Sequence, residues 1–218
     1  MKRKAKTKKV KKISKPKKVK AKPKPRPKSS KSKRGRAAKV ESLKGLKLKS
    51  VAAAICSYLT DKGFDPVLTG PACASIYGGA DIRSNDIDFV ISEYVVDEIE
   101  RAMKKLGFFC KVYRTFGSKE LPFSVSFLPP PLTVGDDIVH DFNLMKTPKG
   151  ELRTLTPTDC VRQRLATFYR FGYEEALHEA VIVAKKHDID LDLIASWSKW
   201  EWAYDRYEDF VRLLNSND

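Results

Sequence analysis

Leu68-Thr69-Gly70-Pro71-Ala72 and, a little further on, Arg83-Ser84-Asn85-Asp86-Ile87-Asp88-Phe89 are two short runs that set the frame for the whole chain. The first begins as an apolar strand from Asp65-Pro66-Val67 and stops at a glycine, the residue that turns a strand most cheaply. Pro71 suits the first position of a helix, because the N–H it lacks has no intrahelical partner there. In the second run, alternation places Asp86 and Asp88 on one side of a strand, about 7 Å apart, with Ile87 and Phe89 on the other. Two carboxylates that close repel one another unless a cation lies between them. Hard divalent ions such as Mg²⁺ or Mn²⁺ take carboxylate oxygens. A glycine turn leading into a helix N-terminus presents backbone N–H groups to phosphates. The competing reading is a solvated acid pair at the mouth of a strand.

Working outward from these runs, apolar spacing predicts a helix over about Leu43–Leu59, a short helix over Ala72–Tyr77 closed by Gly78-Gly79, and a strand over Asp86–Ile91. A helix over Val96–Leu106 ends at Gly107, and strands are expected over Phe108–Tyr113, Phe123–Phe127 and Ile138–Leu144. Lys149-Gly150 reads as a loop. From Thr156 onward the pattern is helical. Thr156-Pro157-Thr158-Asp159 supplies a cap, a first-position proline and an acid in the first turn. Three helices are expected: one with Val161, Leu165, Phe168 and Tyr169 inward, one with Ala176, Leu177, Ala180, Val181 and Ala184, and one carrying Trp200, Tyr204, Tyr207, Val211 and Leu214. The aromatic residues and the tryptophans are expected to be core packing, with base stacking as the alternative. The fold class is therefore α/β (α+β): residues 41–150 as a mixed-sheet domain and residues 151–218 as a helical lobe.

The 218 residues carry 43 Lys+Arg and 27 Asp+Glu, a net charge of +16. That excess is local: residues 1–40 hold 21 Lys/Arg and no acid, so the remainder has a net charge of −5. Such a Lys/Pro-rich segment has too little apolar surface to offset its ordering entropy, and a disordered basic tail is expected. Its chemistry suits sequence-blind, salt-sensitive attachment to nucleic acid. The run 22–28 and Lys33-Arg34-Gly35-Arg36 would also serve as a nuclear signal in a eukaryotic host. Cys56, Cys73, Cys110 and Cys160 are too scattered for a structural zinc site and are expected to be buried free thiols in a reducing compartment. No apolar run is long enough for a transmembrane helix or a secretory signal, so a cytoplasmic protein without a membrane partner is expected.

The order strand, glycine turn, short helix, then Arg83-Ser84-Asn85-Asp86-Ile87-Asp88-Phe89 resembles the nucleotidyltransferase superfamily related to DNA polymerase beta, in its minimal branches such as AbiEii-like toxins. The resemblance is close over about Val67–Val90 and looser over 155–161, 164–166 and Trp197-Ser198. It implies a nucleotidyltransferase-like mixed sheet with flanking helices and a helical substrate lobe. It also implies Mg²⁺- or Mn²⁺-assisted transfer of a nucleoside monophosphate from an NTP to a hydroxyl of RNA, DNA or protein. Asp86 and Asp88 match the metal-binding acids and Gly70 the phosphate-turn glycine. Pro71 departs from the family's second glycine or serine, removing an N–H and a hydroxyl. The family's third acid has no match on Phe123–Phe127, whose polar face bears Ser124 and Ser126. Asp141, with Asp137 on the same strand face, substitutes if that strand lies beside Asp88. Arg83 and Arg164, with Arg162, are candidate phosphate contacts, the alternatives being ion pairs of Arg83 with Asp81 or Asp86 and of the helix arginines with Asp159. A catalytically weakened nucleic-acid-binding protein is the alternative function, and a toxin–antitoxin component a third.

Overall fold

Val67–Thr69 (β1) and Asp86–Val90 (β2) lie antiparallel inside a mixed sheet, and the rest of the chain is arranged around this pair. A computed structural model describes residues 42–216. The expectation of a disordered basic tail over 1–40 lies outside the described residues. The further strands are Phe108–Val112 (β3), Thr115–Ser118 (β4), Ser124–Leu128 (β5), Thr133–Val134 (β6), Asp137–Ile138 (β7), Phe142–Thr147 (β8) and Gly150–Leu155 (β9). Seven of them form one sheet in the order β3-β4-β5-β2-β1-β9-β8, in which β2 runs parallel to β5 and β1 parallel to β9. β6 and β7 make a separate small hairpin.

The helices are Leu48–Thr60 (α1), Gly70–Gly78 (α2), Val96–Lys105 (α3), Pro157–Phe171 (α4), Glu174–Lys186 (α5), Leu191–Trp200 (α6) and Tyr204–Leu214 (α7). The result is a mixed sheet with flanking helices followed by a helical segment, as the sequence pattern requires. α1 packs on β9 and α3, while α2 packs against β1, β2, α4 and α5. The pleat of β2 works as expected: Ile87 and Phe89 are fully buried. Phe89 stacks on Phe127 of β5, and Phe116 of β4 meets the same ring edge-on. Burying three such rings supplies much of the drive for this side of the sheet.

Two devices hold α2 in place. Tyr77 donates its hydroxyl to the Leu155 carbonyl at 2.7 Å and accepts from Asn143 Nδ2 at 3.0 Å, tying the helix to β9 and β8. At its C-terminal end, Lys186 donates to the Gly78 carbonyl, and His187 Nε2 lies 2.9 Å from the Tyr77 carbonyl. A cation at the end of a helix satisfies free carbonyls and complements the helix dipole. α4 starts as its sequence dictates: Thr156 accepts from the Asp159 N–H at 3.1 Å, Pro157 follows, and Gly172 closes the helix in the left-handed conformation.

Several expectations are corrected. α1 begins at Leu48, because Leu43–Leu46 form a turn with Gly45 at φ +74°. The strand expected over Ile138–Leu144 is two pieces, β7 and β8, and β8 forms a hairpin with β9, so the expected loop at Lys149-Gly150 is a tight turn at Pro148-Lys149 followed by the first residue of β9. The third expected helix is α7 alone. Trp200 ends α6, which the sequence reading did not separate, and the chain turns at Trp202 with φ +56°. Of the tryptophans, Trp197 is buried against Tyr169, whereas Trp200 and Trp202 are 83% and 94% exposed and are not core residues. Cys56, Cys73 and Cys160 are buried, but Cys110 is exposed on the edge strand β3. Among the described residues, no helix is long and apolar enough to cross a membrane.

Candidate functional site

Strand register lines up one polar row across four strands. Thr69 of β1 pairs with Asp88 of β2, Asp88 with Ser126 of β5, and Ser126 with Thr115 of β4. The hydroxyls of Thr115 and Ser126 are 3.3 Å apart. One step along, Asp86 stands in register with Ser124. Residues in register share a face of the sheet, so the two aspartates and the two serines point the same way. Asp86 is exposed and Asp88 half-buried.

This face meets the β1–α2 turn. Gly70 has φ +67°, and a Cβ there would lie 2.8 Å from Asp88 Oδ2. Only glycine permits both the left-handed conformation and this close approach. The Asp88 carboxyl is pushed up to about 6, first by burial and then by the charge of Asp86, with Arg164 pulling the other way. The two acids and the glycine turn expected to converge from the sequence do so.

The turn has a further occupant that sequence reasoning missed. The Gly70 N–H donates to Gln163 Oε1 at 2.7 Å, and Gln163 Nε2 donates to Thr69 Oγ1 at 2.7 Å. Gln163 projects from α4 and brackets the turn with one amide. Pro71 follows Gly70 with no N–H of its own, as its residue type demands.

The remaining candidates fall in different places. Arg164 is buried on α4, its Nε 2.8 Å from Glu179 Oε2 of α5, so the charge felt by Asp88 is already paired. Burial raises the Glu179 carboxyl, an effect that the Arg164 charge opposes. Arg162 forms ion pairs with Asp159 at 2.9 Å and with Asp137, and it lies over the Trp197 ring, so its charge is taken up by these partners. Arg83 is exposed beside β2, and the ion pair considered for it with Asp81 is not made, since Asp81 pairs with Lys186. Asp141 lies exposed between β7 and β8. The condition for its role fails, because β1 and β9 separate β8 from β2. Asp137 likewise serves Arg162 rather than Asp88.

Two carboxylates with flanking hydroxyls fit one hard divalent ion that keeps part of its water shell. They do not fit a second, because the positions beside Asp86 and Asp88 on β5 are serines. Among the described residues, no group of three or more His, Cys, Asp or Glu side chains is placed to hold a metal. A cavity of about 710 Å³ lies between α3 and the β3–β4 edge, lined by residues such as Asp97, Lys104, Phe109 and Cys110, and includes neither the two aspartates nor the Gly70 turn.

The crystal structure of an antigenic nucleotidyltransferase-like protein from Paracoccidioides brasiliensis is similar to this chain, with a TM-score of 0.56 and 12% sequence identity over 80% of this chain and 94% of that one. The solution structure of the antibiotic-resistance factor ANT(2'')-Ia superposes with a TM-score of 0.44 and 10% identity over 74% of this chain and 96% of that one. Neither a protein-family model nor a curated protein matches the sequence. The first likeness establishes that the chain has a nucleotidyltransferase-like fold.

Proposed function

We propose that the chain is a nucleotidyltransferase that uses one divalent ion, Mg²⁺ or Mn²⁺, to pass a nucleoside monophosphate from an NTP to a hydroxyl, the new bond to the α-phosphorus forming as the bond to the departing pyrophosphate breaks and the hydroxyl proton passing to water. The observation that carries this reading is the meeting of Asp86 and Asp88 with the Gly70 turn on one face of the sheet. A bound ion would neutralise phosphate charge and make the α-phosphate more electrophilic. Asp86 and Asp88 supply its anionic ligands. The absence of a Cβ on Gly70 keeps the approach to Asp88 open, and the first-turn N–H groups of α2 face the phosphates. Exposed Arg83 stands ready for a phosphate oxygen. Ser124 and Ser126 hold and orient water or the acceptor hydroxyl by hydrogen bonds but accept protons poorly, so transfer is slow. The basic segment 1–40 gathers a nucleic-acid acceptor by phosphate neutralisation.

The test is transfer of radiolabel from each α-labelled NTP, with Mg²⁺ or Mn²⁺, into total RNA, DNA and protein. Label above that given by the Asp86→Ala/Asp88→Ala protein supports the reading, and none removes it. A second reading draws on Ser124 and Ser126: a body that binds nucleotide and nucleic acid without turnover. It requires nucleotide binding that depends on Asp86 and Asp88, nucleic-acid retention that depends on residues 1–40, and no label transfer.

A further inference from the structure

Gln163 holds the donor that a triphosphate needs. Pro71 has no N–H, so the turn's leading donor is the Gly70 N–H, and Gln163 Oε1 occupies it at 2.7 Å. The same amide is fixed from its other end by donating to Thr69 Oγ1 at 2.7 Å. This side chain reaches the turn from α4, the far side of the α2–α4 packing. As a neutral group, it satisfies a buried backbone donor without adding a further negative charge beside Asp86 and Asp88. A carboxylate in its place would do the opposite.

We infer that Gln163 is a built-in competitor for the phosphate seat and sets the nucleotide affinity of the site. This rests on the proposed reading that the Gly70 turn receives the triphosphate. A phosphate oxygen is an anionic acceptor, and hydrogen bonds to anions are roughly twice as strong as those to a neutral carbonyl. The phosphate therefore wins the Gly70 N–H, but only after the Gln163 bond is broken. The affinity forfeited is that of one net hydrogen bond, about tenfold. Gln163 is a positioning residue that acts on the turn, and displacing it leaves its amide free to remain on Thr69 or to turn to solvent.

The experiment follows the Gly70 amide by NMR in the full chain labelled with ¹⁵N-glycine, titrated with MgATP in 0.3 M salt to suppress binding by the basic segment. Wild type is compared with Gln163→Ala, with the shape-preserving Gln163→Met, and with Gln163→Glu, each checked for folding by its melting curve. In the free Gln163→Ala and Gln163→Met proteins the Gly70 N–H loses its partner, moves upfield and exchanges faster. Their titration midpoints fall about tenfold, and that of Gln163→Glu rises by at least as much. An unchanged or higher midpoint in both neutral variants overturns the competitor role while leaving the nucleotide reading intact. A Gly70 signal that responds to MgATP in none of the four proteins overturns the nucleotide reading, and the competitor role with it.

Discussion

Asp88 and Ser126 stand in register on the parallel strands β2 and β5, so a neutral hydroxyl occupies the place on the sheet face directly beside the half-buried carboxylate. The substitution is chemically one-sided. Ser126 shares its hydroxyl with Thr115 at 3.3 Å, and at neutral pH a serine neither adds charge for a cation nor takes up a proton.

Restoring the acid tests this directly. Ser126→Asp and Ser124→Asp each place a third carboxylate on the shared face. The transfer rate with saturating Mg²⁺ is expected to rise by roughly a hundredfold in the better of the two, the lower end of what a positioned base contributes. Without the ion, three acids repel, so the same variants should melt below wild type in chelator and recover with Mg²⁺. Initial rates of label incorporation and melting curves with and without Mg²⁺ check both halves.

Asp88 also makes stability depend on pH. Its carboxyl is raised from 3.8 to about 6, chiefly by burial. A raised carboxyl favours the folded state when protonated: the contribution is fully present below about 4 and is lost as pH rises through about 6. In metal-free protein the loss at pH 7.5 is on the order of 2 kcal/mol, allowing for partial solvent access. Asp88→Asn removes it. The variant should therefore melt above wild type at pH 7.5 in chelator, with the gap closing towards pH 4. Thermal denaturation across that range checks the sign, and an opposite sign would mean that the carboxylate is already compensated in the free protein.

Gly70 is required twice over, for its φ of +67° and for the 2.8 Å that would separate a Cβ at this position from Asp88 Oδ2. Gly70→Ala is expected to destabilise by about 2 kcal/mol or more, from backbone strain and the steric clash together. Only the clash depends on Asp88. In a double-mutant cycle, Asp88→Ala should recover about 1 kcal/mol of the Gly70→Ala loss and leave the backbone share in place. Urea denaturation of the four proteins measures the coupling, and purely additive losses would place Asp88 away from the turn.

What could be read from the sequence followed from local rules. The glycine after an apolar run, the proline behind it and the alternation of Asp86-Ile87-Asp88-Phe89 each constrain backbone within a few residues, and the structure places them as those rules require. Ser124 and Ser126 were legible for the same reason, as the polar face of an alternating strand. β4 was not, since Thr115-Phe116-Gly117-Ser118 offers one large apolar side chain and is held by its neighbours on either side. β9 carried a usable signal, the alternation of Leu152 and Thr154 after a Pro148-Lys149-Gly150 turn, but it was eclipsed by the helix cap that follows. Gln163 had no signal at all. A glutamine in a helix reads as solvent-facing, and its partners Thr69 and Gly70 are remote in sequence. The placement of Asp141 depended on which strand lies next to β2, a property of sheet order that no local pattern records.

The buried pair Arg164–Glu179 offers the last prediction, because it links the helical segment to the acid site without touching it. Both side chains are buried and their charged atoms lie 2.8 Å apart, joining α4 to α5. Breaking a buried pair leaves an uncompensated charge, so Glu179→Leu alone should destabilise by about 3 kcal/mol or more, whereas Arg164→Met with Glu179→Leu should come close to wild type. The pair also differs in what it does to Asp88: among the described residues, Arg164 opposes the upward push on that carboxyl. Removing the arginine in the double variant should raise the Asp88 titration further above 6, while Glu179→Leu, which leaves Arg164 unpaired, should lower it. Carboxyl-carbon NMR titration of Asp88 in the two variants reads this difference independently of stability. If the Asp88 midpoint stays put in both, the arginine charge is spent entirely on Glu179, and α4 acts on the turn through Gln163 alone.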